Sequence, residues 1–125
     1  MRVATLDHLV LTVASIDATV AFYERLGMRG ETFGDGRRAL RFGRQRLHLH
    51  PVGAEIEPYA RRPVPGSADL CFLVEDSLDD VARELAEGGI AIELGPVERT
   101  GAAGAIESLY LRDPDGNLVE LARPH

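Results

Sequence analysis

The most restrictive feature of this chain is an order of predicted elements that occurs twice: strand, helix, strand, strand, strand. A shift of 61 residues (69 − 8 = 61) places Asp69 on His8, and the same shift places Gly88 on Gly27, where each predicted helix ends. Matched element orders with matched helix ends favour one domain built from two similar modules. Such a repeat predicts a pseudo-twofold arrangement in which equivalent positions of the two modules converge on one cavity.

The first module, residues 1–52, begins with a strand that carries a histidine among apolar residues. In the predicted strand at residues 6–13, His8, Val10 and Thr12 share one face, because side chains alternate along a strand. The strand looks buried on both sides. The other elements predicted for this module are a helix at residues 17–26, capped by Ser15 or Asp17, and strands at residues 28–33, 38–42 and 46–50.

A long connection separates this module from the second one. Residues 51–66 contain four prolines and two glycines without periodicity, so we place a linker at residues 53–66 and the second module at residues 67–125. The length of the connection favours a functional loop or a crossing between modules. The elements predicted for the second module are a strand at residues 68–74, a helix capped by Asp76 or Ser77 that reaches residue 87, and strands at residues 90–94, 105–111 and 117–122.

Composition excludes several classes of function. The formal net charge of −6 and the pI near 5.1 argue against a nucleic-acid surface, which needs a basic footprint. No apolar run approaches the roughly 20 residues of a membrane span, and the start of the chain lacks the pattern of a signal peptide, so we expect no membrane partner and a cytoplasmic location. The chain has one cysteine, Cys71, so it cannot form an intrachain disulfide. We interpret Cys71 as a small buried hydrophobic residue.

Four residues with oxygen or nitrogen ligand atoms occupy related strand positions in the two modules. A lone His8 is best interpreted as a core histidine, but the repeat gives it Asp69 as a counterpart. Aligning the last strands of the modules places His50 on Glu120, although alternation alone does not choose between His48 and His50. Two imidazoles and two carboxylates together fit a divalent metal site, because buried carboxylates need a nearby cation.

Two longer motifs resemble the vicinal oxygen chelate superfamily, which includes glyoxalases, bleomycin-resistance proteins and extradiol dioxygenases. The first motif is the stretch from Leu6 to Val13 with the helix that ends at Leu26-Gly27, and the second runs from Tyr110 through the predicted turn at residues 113–117 to Glu120. The resemblance covers essentially the whole chain and is greatest to small lactoylglutathione-lyase-like proteins. It implies an α+β fold of two βαβββ modules, whose curved mixed sheets form a cup around a metal and a substrate.

The resemblance also implies a set of metal ligands. His8 and Glu120 match the family positions directly, and His50 matches the variable second position because it directly precedes the strand-ending Pro51. Asp69 departs from the histidine that most metal-using members carry, although an aspartate can still bind through oxygen. Related dimers complete the cup across their interface, so we expect a homodimer in which His8 and His50 of one subunit face Asp69 and Glu120 of the other. Each site would hold one divalent ion: nickel, zinc, iron, cobalt or manganese.

The family chemistry implied is a glyoxalase-type lyase or isomerase reaction on a small substrate with vicinal oxygens, through a metal-stabilised enolate. Glu120 is the expected general base, and Tyr110, Arg99 and Arg41 are candidate substrate-binding residues. One alternative is an extradiol-type dioxygenase with ferrous iron held by two histidines and one carboxylate. Another is a metal-free protein that sequesters a drug or metabolite, which four Phe, three Tyr and no Trp mildly disfavour.

Overall fold

The structure, a computed structural model, describes all residues from Met1 to His125 and confirms the α+β class. The chain divides into two compact units, unit 1 (Met1–Gly66) and unit 2 (Ser67–His125). Each unit has the element order of a βαβββ module. The elements are β1 (His8–Val13), α1 (Ile16–Arg25), β2 (Arg29–Phe33), β3 (Arg37–Phe42) and β4 (Gln45–Pro51) in unit 1, and β5 (Asp69–Leu73), α2 (Leu78–Glu87), β6 (Leu94–Gly101), β7 (Gly104–Arg112) and β8 (Leu118–Pro124) in unit 2.

The two sheets have equivalent topologies. In unit 1 the strand order is β1-β4-β3-β2, with β1 parallel to β4 and the other pairs antiparallel. In unit 2 the order is β5-β8-β7-β6, again with one parallel pair, β5 and β8. Because β1 and β4 are the first and last strands of their module, residues far apart in sequence become neighbours at the β1 edge of the sheet.

The helices begin and end where local signals place them. The Ser15 hydroxyl accepts a hydrogen bond from the Ala18 backbone N–H of α1, and the Ser77 hydroxyl does the same for Asp80 of α2. Each such cap satisfies a backbone donor that has no partner within the helix and contributes about 1 kcal/mol. After α1 the chain turns at Gly27, which has a φ of 92° and so adopts a conformation that most residues avoid.

The apolar core of each unit lies on the face of the sheet that contacts the helix. In unit 1, α1 contacts β2, β3 and β4, and in unit 2, α2 contacts β7. The buried apolar residues of this core are Leu11, Val13, Val20, Tyr23, Met28, Leu40, Leu47 and Leu49 in unit 1, and Leu78, Val81, Leu85, Leu109, Leu111, Val119 and Leu121 in unit 2, while Ala39, Ile106 and Ala122 are buried on the opposite faces of the sheets. Alternation places the candidate ligands on the opposite face of each sheet.

Two expectations about strands were wrong. Strand β1 is not buried on both sides, because the side chain of His8 is 41% exposed and Val10 is 43% exposed. Strand β6 lies at Leu94–Gly101 rather than at residues 90–94. Ile90 instead donates its N–H to the Leu85 carbonyl at the end of α2, and β6 is an edge strand with mostly exposed faces. An edge strand of this kind shows little of the alternation from which strands are predicted.

A compact turn joins β7 to β8 at the predicted residues 113–117. The buried Asp113 carboxylate accepts hydrogen bonds from the backbone N–H groups of Asp115 and Asn117, at 2.9 and 3.0 Å, and from the Asn117 side-chain amide at 2.7 Å. The Asn117 side-chain oxygen in turn accepts from the Ala68 N–H at 2.8 Å. The turn therefore connects the start of β5 to the start of β8, which supports the pairing of these strands.

No helix of the chain is long and apolar enough to cross a membrane.

Candidate functional site

Strands β1 and β4 bring three histidines to one face of the sheet in unit 1. Their register pairs His8 with Arg46, Val10 with His48 and Thr12 with His50, and paired residues lie on the same face. The rings of His8 and His48 stack with centroids 3.9 Å apart and planes 11° from parallel. The Asp7 carboxylate also lies 2.8 Å from His8 Nδ1.

Two of these histidines are buried with unsatisfied ring nitrogens. His48 and His50 are each 5% exposed, and neither nitrogen of His48 nor Nε2 of His50 has a hydrogen-bond partner. Burial, followed by the charge of His8, lowers the pKa of His48 to about 4, and burial followed by Arg37 lowers the pKa of His50. Both rings are therefore neutral at pH 7. Neutral imidazoles with free nitrogens are the form that binds divalent metals, so this face fits such an ion.

The backbone after β4 constrains the His50 ring. The Ile56 N–H donates a hydrogen bond of 3.4 Å to His50 Nδ1. Since Nδ1 is the acceptor, the proton of the neutral ring lies on Nε2. Binding a metal through Nε2 would require this proton to leave Nε2 and the Ile56 hydrogen bond to be rearranged.

The observed registers differ from the alignment of the two last strands. His8 pairs with Arg46, and its counterpart Asp69 pairs with Leu118. Two residues further along, His48 in β4 corresponds to Glu120 in β8. The registers therefore do not allow both alignments: if Asp69 is the counterpart of His8, then His48 rather than His50 is the counterpart of Glu120. The metal-ligand role of either histidine stays a prediction.

The buried, uncharged state of His48 predicts a loss of stability in mild acid. Between about pH 6.5 and pH 4 the unfolded chain protonates this histidine while the folded chain does not, so stability falls as the pH falls. For the metal-free protein we expect a loss on the order of 3 kcal/mol across this window. Urea unfolding at pH 7, 6, 5 and 4 in the presence of a chelator measures it.

His48→Asn should flatten this pH dependence, because asparagine does not titrate. His125→Asn is the matched control, since His125 is exposed at the chain end. If His48→Asn loses as much unfolding free energy between pH 7 and pH 4 as the unsubstituted protein does, His48 is not the cause of the pH dependence.

In unit 2 the face opposite α2 carries Glu120. The Ser108 hydroxyl, which is fully buried, donates a hydrogen bond of 2.5 Å to Glu120 Oε2. The register places Glu120 beside Tyr110 of β7 on one side and Cys71 of β5 on the other. The carboxylate is thus oriented by a side chain that the sequence analysis did not select, and Ser108 could have been found from its shared strand phase with Tyr110.

Cys71 is exposed, which corrects its interpretation as a buried hydrophobic residue. Partial desolvation of its sulfur and the neighbouring Glu120 carboxylate raise the pKa of the thiol to about 11. The thiol is therefore protonated at neutral pH and is a weak nucleophile. Its side chain instead helps to line the pocket beside Glu120.

Asp69 begins β5 as an exposed residue of unit 2. It pairs with Leu118 and lies two residues before Cys71 on the same face of the strand, so Asp69 and Glu120 share the face opposite α2. His8 and His50 belong to the equivalent face of unit 1. Within the chain, no group of three or more His, Cys, Asp or Glu side chains is arranged to hold a metal ion.

A pocket of about 490 Å³ lies over this face of unit 2. Arg99 and Tyr110, both selected as candidate substrate-binding residues, line it together with Glu120. Arg99 Nε donates to the Tyr110 hydroxyl at 3.0 Å, and its guanidinium carbon lies 5.5 Å from the centre of the tyrosine ring. The remaining lining residues are Cys71, Leu73, Thr100, Gly101, Ala102, Ala103, Gly104, Ala105, Ile106 and Pro124.

The structure gives the third candidate, Arg41, a different environment in unit 1. Its guanidinium forms an ion pair with Glu31, which also lies 3.6 Å from Arg46. The hydrogen bond from Arg41 lowers the pKa of the Glu31 carboxyl, so this carboxylate is charged at neutral pH. Arg41 therefore has a counter-ion within the protein, whereas Arg99 forms no ion pair.

Comparison with known families identifies a match over nearly the whole chain. The sequence model of the Glyoxalase/Bleomycin resistance protein/Dioxygenase superfamily matches residues 5–121. The chain is 53% identical over 122 residues to the glyoxalase domain-containing protein RDO1 of Mycosarcoma maydis, covering 98% of this chain and 69% of that protein.

Two further relatives come from bacteria. The chain is 52% identical over 124 residues to the virulence protein STM3117 of Salmonella typhimurium, covering 98% of this chain and 86% of that protein. The crystal structure of STM3117 superposes with a TM-score of 0.98, over 100% of both chains. A more distant relative, the metallothiol transferase FosB of Shouchella clausii, is 29% identical over 119 residues, which are 93% of this chain and 77% of that protein.

Proposed function

Because this chain belongs to the glyoxalase, bleomycin resistance protein and dioxygenase superfamily, we propose that it is a metal-dependent lyase or isomerase of the glyoxalase type. Its substrate is a small molecule with vicinal oxygen atoms. The observation that carries this proposal is the pair of buried, neutral histidines of β4 with unsatisfied nitrogens. An unsatisfied buried polar atom is costly, and a bound metal relieves that cost.

The proposed ligands come from both units. His8 and one imidazole of β4 provide nitrogen, and Asp69 and Glu120 provide oxygen, which together suit nickel, zinc, iron, cobalt or manganese. The sequence favours His50 as the β4 ligand. The register with β1 and the two free nitrogens of the ring support His48. A relative at 29% identity is named a metallothiol transferase, which is consistent with metal use in the superfamily.

The active form in this proposal is a homodimer, with His8 and a β4 histidine of one subunit facing Asp69 and Glu120 of the other. Support comes from apolar side chains on the same strands as the proposed ligands. Val10 of β1 is 43% exposed and Leu73 of β5 is 66% exposed. A second copy that covers these strands would bury this apolar surface while it completes the site.

When bound, the metal supplies Lewis acidity toward the oxygen atoms of the substrate. The chain itself supplies the proton chemistry. Ser108 holds Glu120 Oε2. Glu120 Oε1, once it has left the metal, would accept a proton from the substrate carbon and return it to the neighbouring carbon. Tyr110 and Arg99 line the same pocket and orient the substrate. The protonated Cys71 thiol lines the pocket without adding a charge.

Metal analysis of protein purified without chelator tests this proposal first. We expect one divalent ion per chain, and saturating the chelated protein with that ion should raise Tm by about 10 °C. His8→Asn and His48→Asn should abolish this shift, and His50→Asn should retain most of it. His125→Asn is the matched control, since this histidine is exposed and outside the site.

The possible outcomes separate the candidate functions. Loss of the shift in His50→Asn alone would restore His50 as the β4 ligand. Absence of bound metal together with no thermal shift for any divalent ion would contradict the proposal and favour a metal-free protein that sequesters a small molecule. Turnover of a hemithioacetal then distinguishes the glyoxalase-type reaction from an extradiol-type dioxygenase, which consumes oxygen.

A further inference from the structure

We propose that the pocket of unit 2 binds a small aliphatic carboxylate, with Arg99 as the cation that receives the carboxylate group. This inference rests on the proposed function, because it assigns the class of substrate to part of the same site. It follows from three features of the pocket: an arginine without a counter-ion, walls made of aliphatic groups, and a single carboxylate at the opposite side of Tyr110.

Arg99 is held in position and remains unneutralised. Its Nε donates to the Tyr110 hydroxyl and its Nη1 to the Glu98 carbonyl, each at 3.0 Å. Both acceptors are uncharged, and no Asp or Glu lies within ion-pair distance. A guanidinium that is oriented by neutral partners keeps its charge available, and a carboxylate is the ligand that its planar donors match best.

Two other arginines that could be compared with Arg99 have counter-ions. Arg41 is paired with Glu31, and Arg112 donates to both oxygens of Glu93 at 3.1 Å. Arg112 is also in unit 2 but does not line the pocket. Arg99 is thus the one cationic residue in the pocket lining, and its charge is not cancelled by a neighbour.

The pocket walls determine which chemical groups suit the part of the ligand outside its carboxylate. The pocket is lined by aliphatic side chains and by the glycines of the β6–β7 connection, and Tyr110 is its one aromatic residue. Aliphatic walls favour an alkyl or alkenyl group through burial of apolar surface. A volume of about 490 Å³ lies in the lower part of the range for small-molecule sites, so the ligand is small. The aliphatic lining residues are Leu73, Ala102, Ala103, Ala105, Ile106 and Pro124.

Charge sets the orientation of the ligand. Tyr110 contacts Arg99 and is the cross-strand neighbour of Glu120, so it lies between the cation and the carboxylate of the pocket. A ligand carboxylate is attracted to Arg99 and repelled by Glu120. The opposite end of the ligand, which carries the oxygen atoms that react, is then directed toward Glu120.

Binding to chelated, metal-free full-length protein tests the inference independently of turnover. We expect hexanoate to bind, and its uncharged isostere hexanamide to bind about tenfold more weakly, by calorimetry or NMR titration. Arg99→Gln should remove this preference by weakening hexanoate about tenfold while leaving hexanamide unchanged. Arg99→Lys should retain part of the preference. Arg83→Gln is the control, since Arg83 lies on α2 and pairs with Asp80.

A second variant tests the position of the site. Ala103→Leu places a larger side chain in the pocket and reduces its free volume. It should weaken the binding of both compounds without changing the ratio of their affinities. Equal affinities for hexanoate and hexanamide, no binding of either compound, or unchanged hexanoate affinity in Arg99→Gln would each overturn the inference. If the protein binds metal but does not prefer hexanoate to hexanamide, the inference fails and the proposed function stands. If the protein prefers hexanoate but binds no metal, only the proposed function fails.

Discussion

Asp113→Ala is expected to lower the free energy of unfolding by about 3–5 kcal/mol. The Asp113 carboxylate is buried and accepts three hydrogen bonds, two from backbone N–H groups and one from the Asn117 side chain. Alanine would leave these donors without an acceptor, and each unsatisfied buried donor costs about 1–3 kcal/mol. Urea unfolding followed by circular dichroism measures the loss, provided that the m-value is unchanged.

Asp35→Ala is the matched control for this substitution. Asp35 is an exposed aspartate in the turn between β2 and β3, so its removal should change stability by no more than about 0.5 kcal/mol. A loss below about 1 kcal/mol in Asp113→Ala would show that the turn does not depend on this carboxylate. The prediction also concerns function, because the turn precedes β8 and connects it to the start of β5.

For the proposed glyoxalase-type reaction, Glu120→Gln is expected to reduce kcat/KM of the metal-loaded protein by about 10²–10³-fold, because glutamine cannot accept the substrate proton. The substitution keeps the size of the side chain and an oxygen that can accept the Ser108 hydrogen bond. Folding should therefore be retained. Hemithioacetal turnover measures the effect, and bound metal is quantified on the same samples to separate loss of the base from loss of the ion.

Glu107→Gln provides the control for charge removal on the same sheet. Glu107 lies on β7 next to Ser108 and points to the other face, since neighbouring residues alternate along a strand. This variant should keep its activity. Full activity in Glu120→Gln with bound metal would exclude Glu120 as the general base, and an equal loss in both variants would attribute the effect to net charge.

Much of the fold could be predicted because the signals involved are local. Helix α1 was expected at residues 17–26 and lies at Ile16–Arg25, since Ser15 and Gly27 define its ends through short-range hydrogen bonds and backbone conformation. The turn at residues 113–117 was likewise readable from its proline and glycine. Strand β6 was not, because its register shifts between Leu94 and Val97 and its exposed faces carry little pattern.

The sequence predicted which types of residue form the candidate site, but only some of their positions in the structure. Tyr110, Arg99 and Glu120 line one pocket. Tyr110 and Glu120 lie on strands that were predicted, whereas Arg99 lies on β6, outside the strand predicted at residues 90–94. The alignments of the first and of the last strands do not both agree with the registers, because an alignment of sequences cannot measure how far β4 slides along β1. Hydrogen bonding between these distant strands sets that register, and a displacement of two residues keeps the same face while exchanging His50 for His48.

The sequence by itself determined the two βαβββ modules, the polar character of one face of each sheet, and the residue types available for a metal or a substrate. These depend on alternation, helix caps and turn residues, which act over a few positions. Only the tertiary structure decided which candidates keep a free charge or a free nitrogen. Arg41 and Arg99 look equivalent in sequence, but Glu31 neutralises the first and an uncharged tyrosine holds the second. Such partners come from other strands, so pairing of distant segments had to be known first.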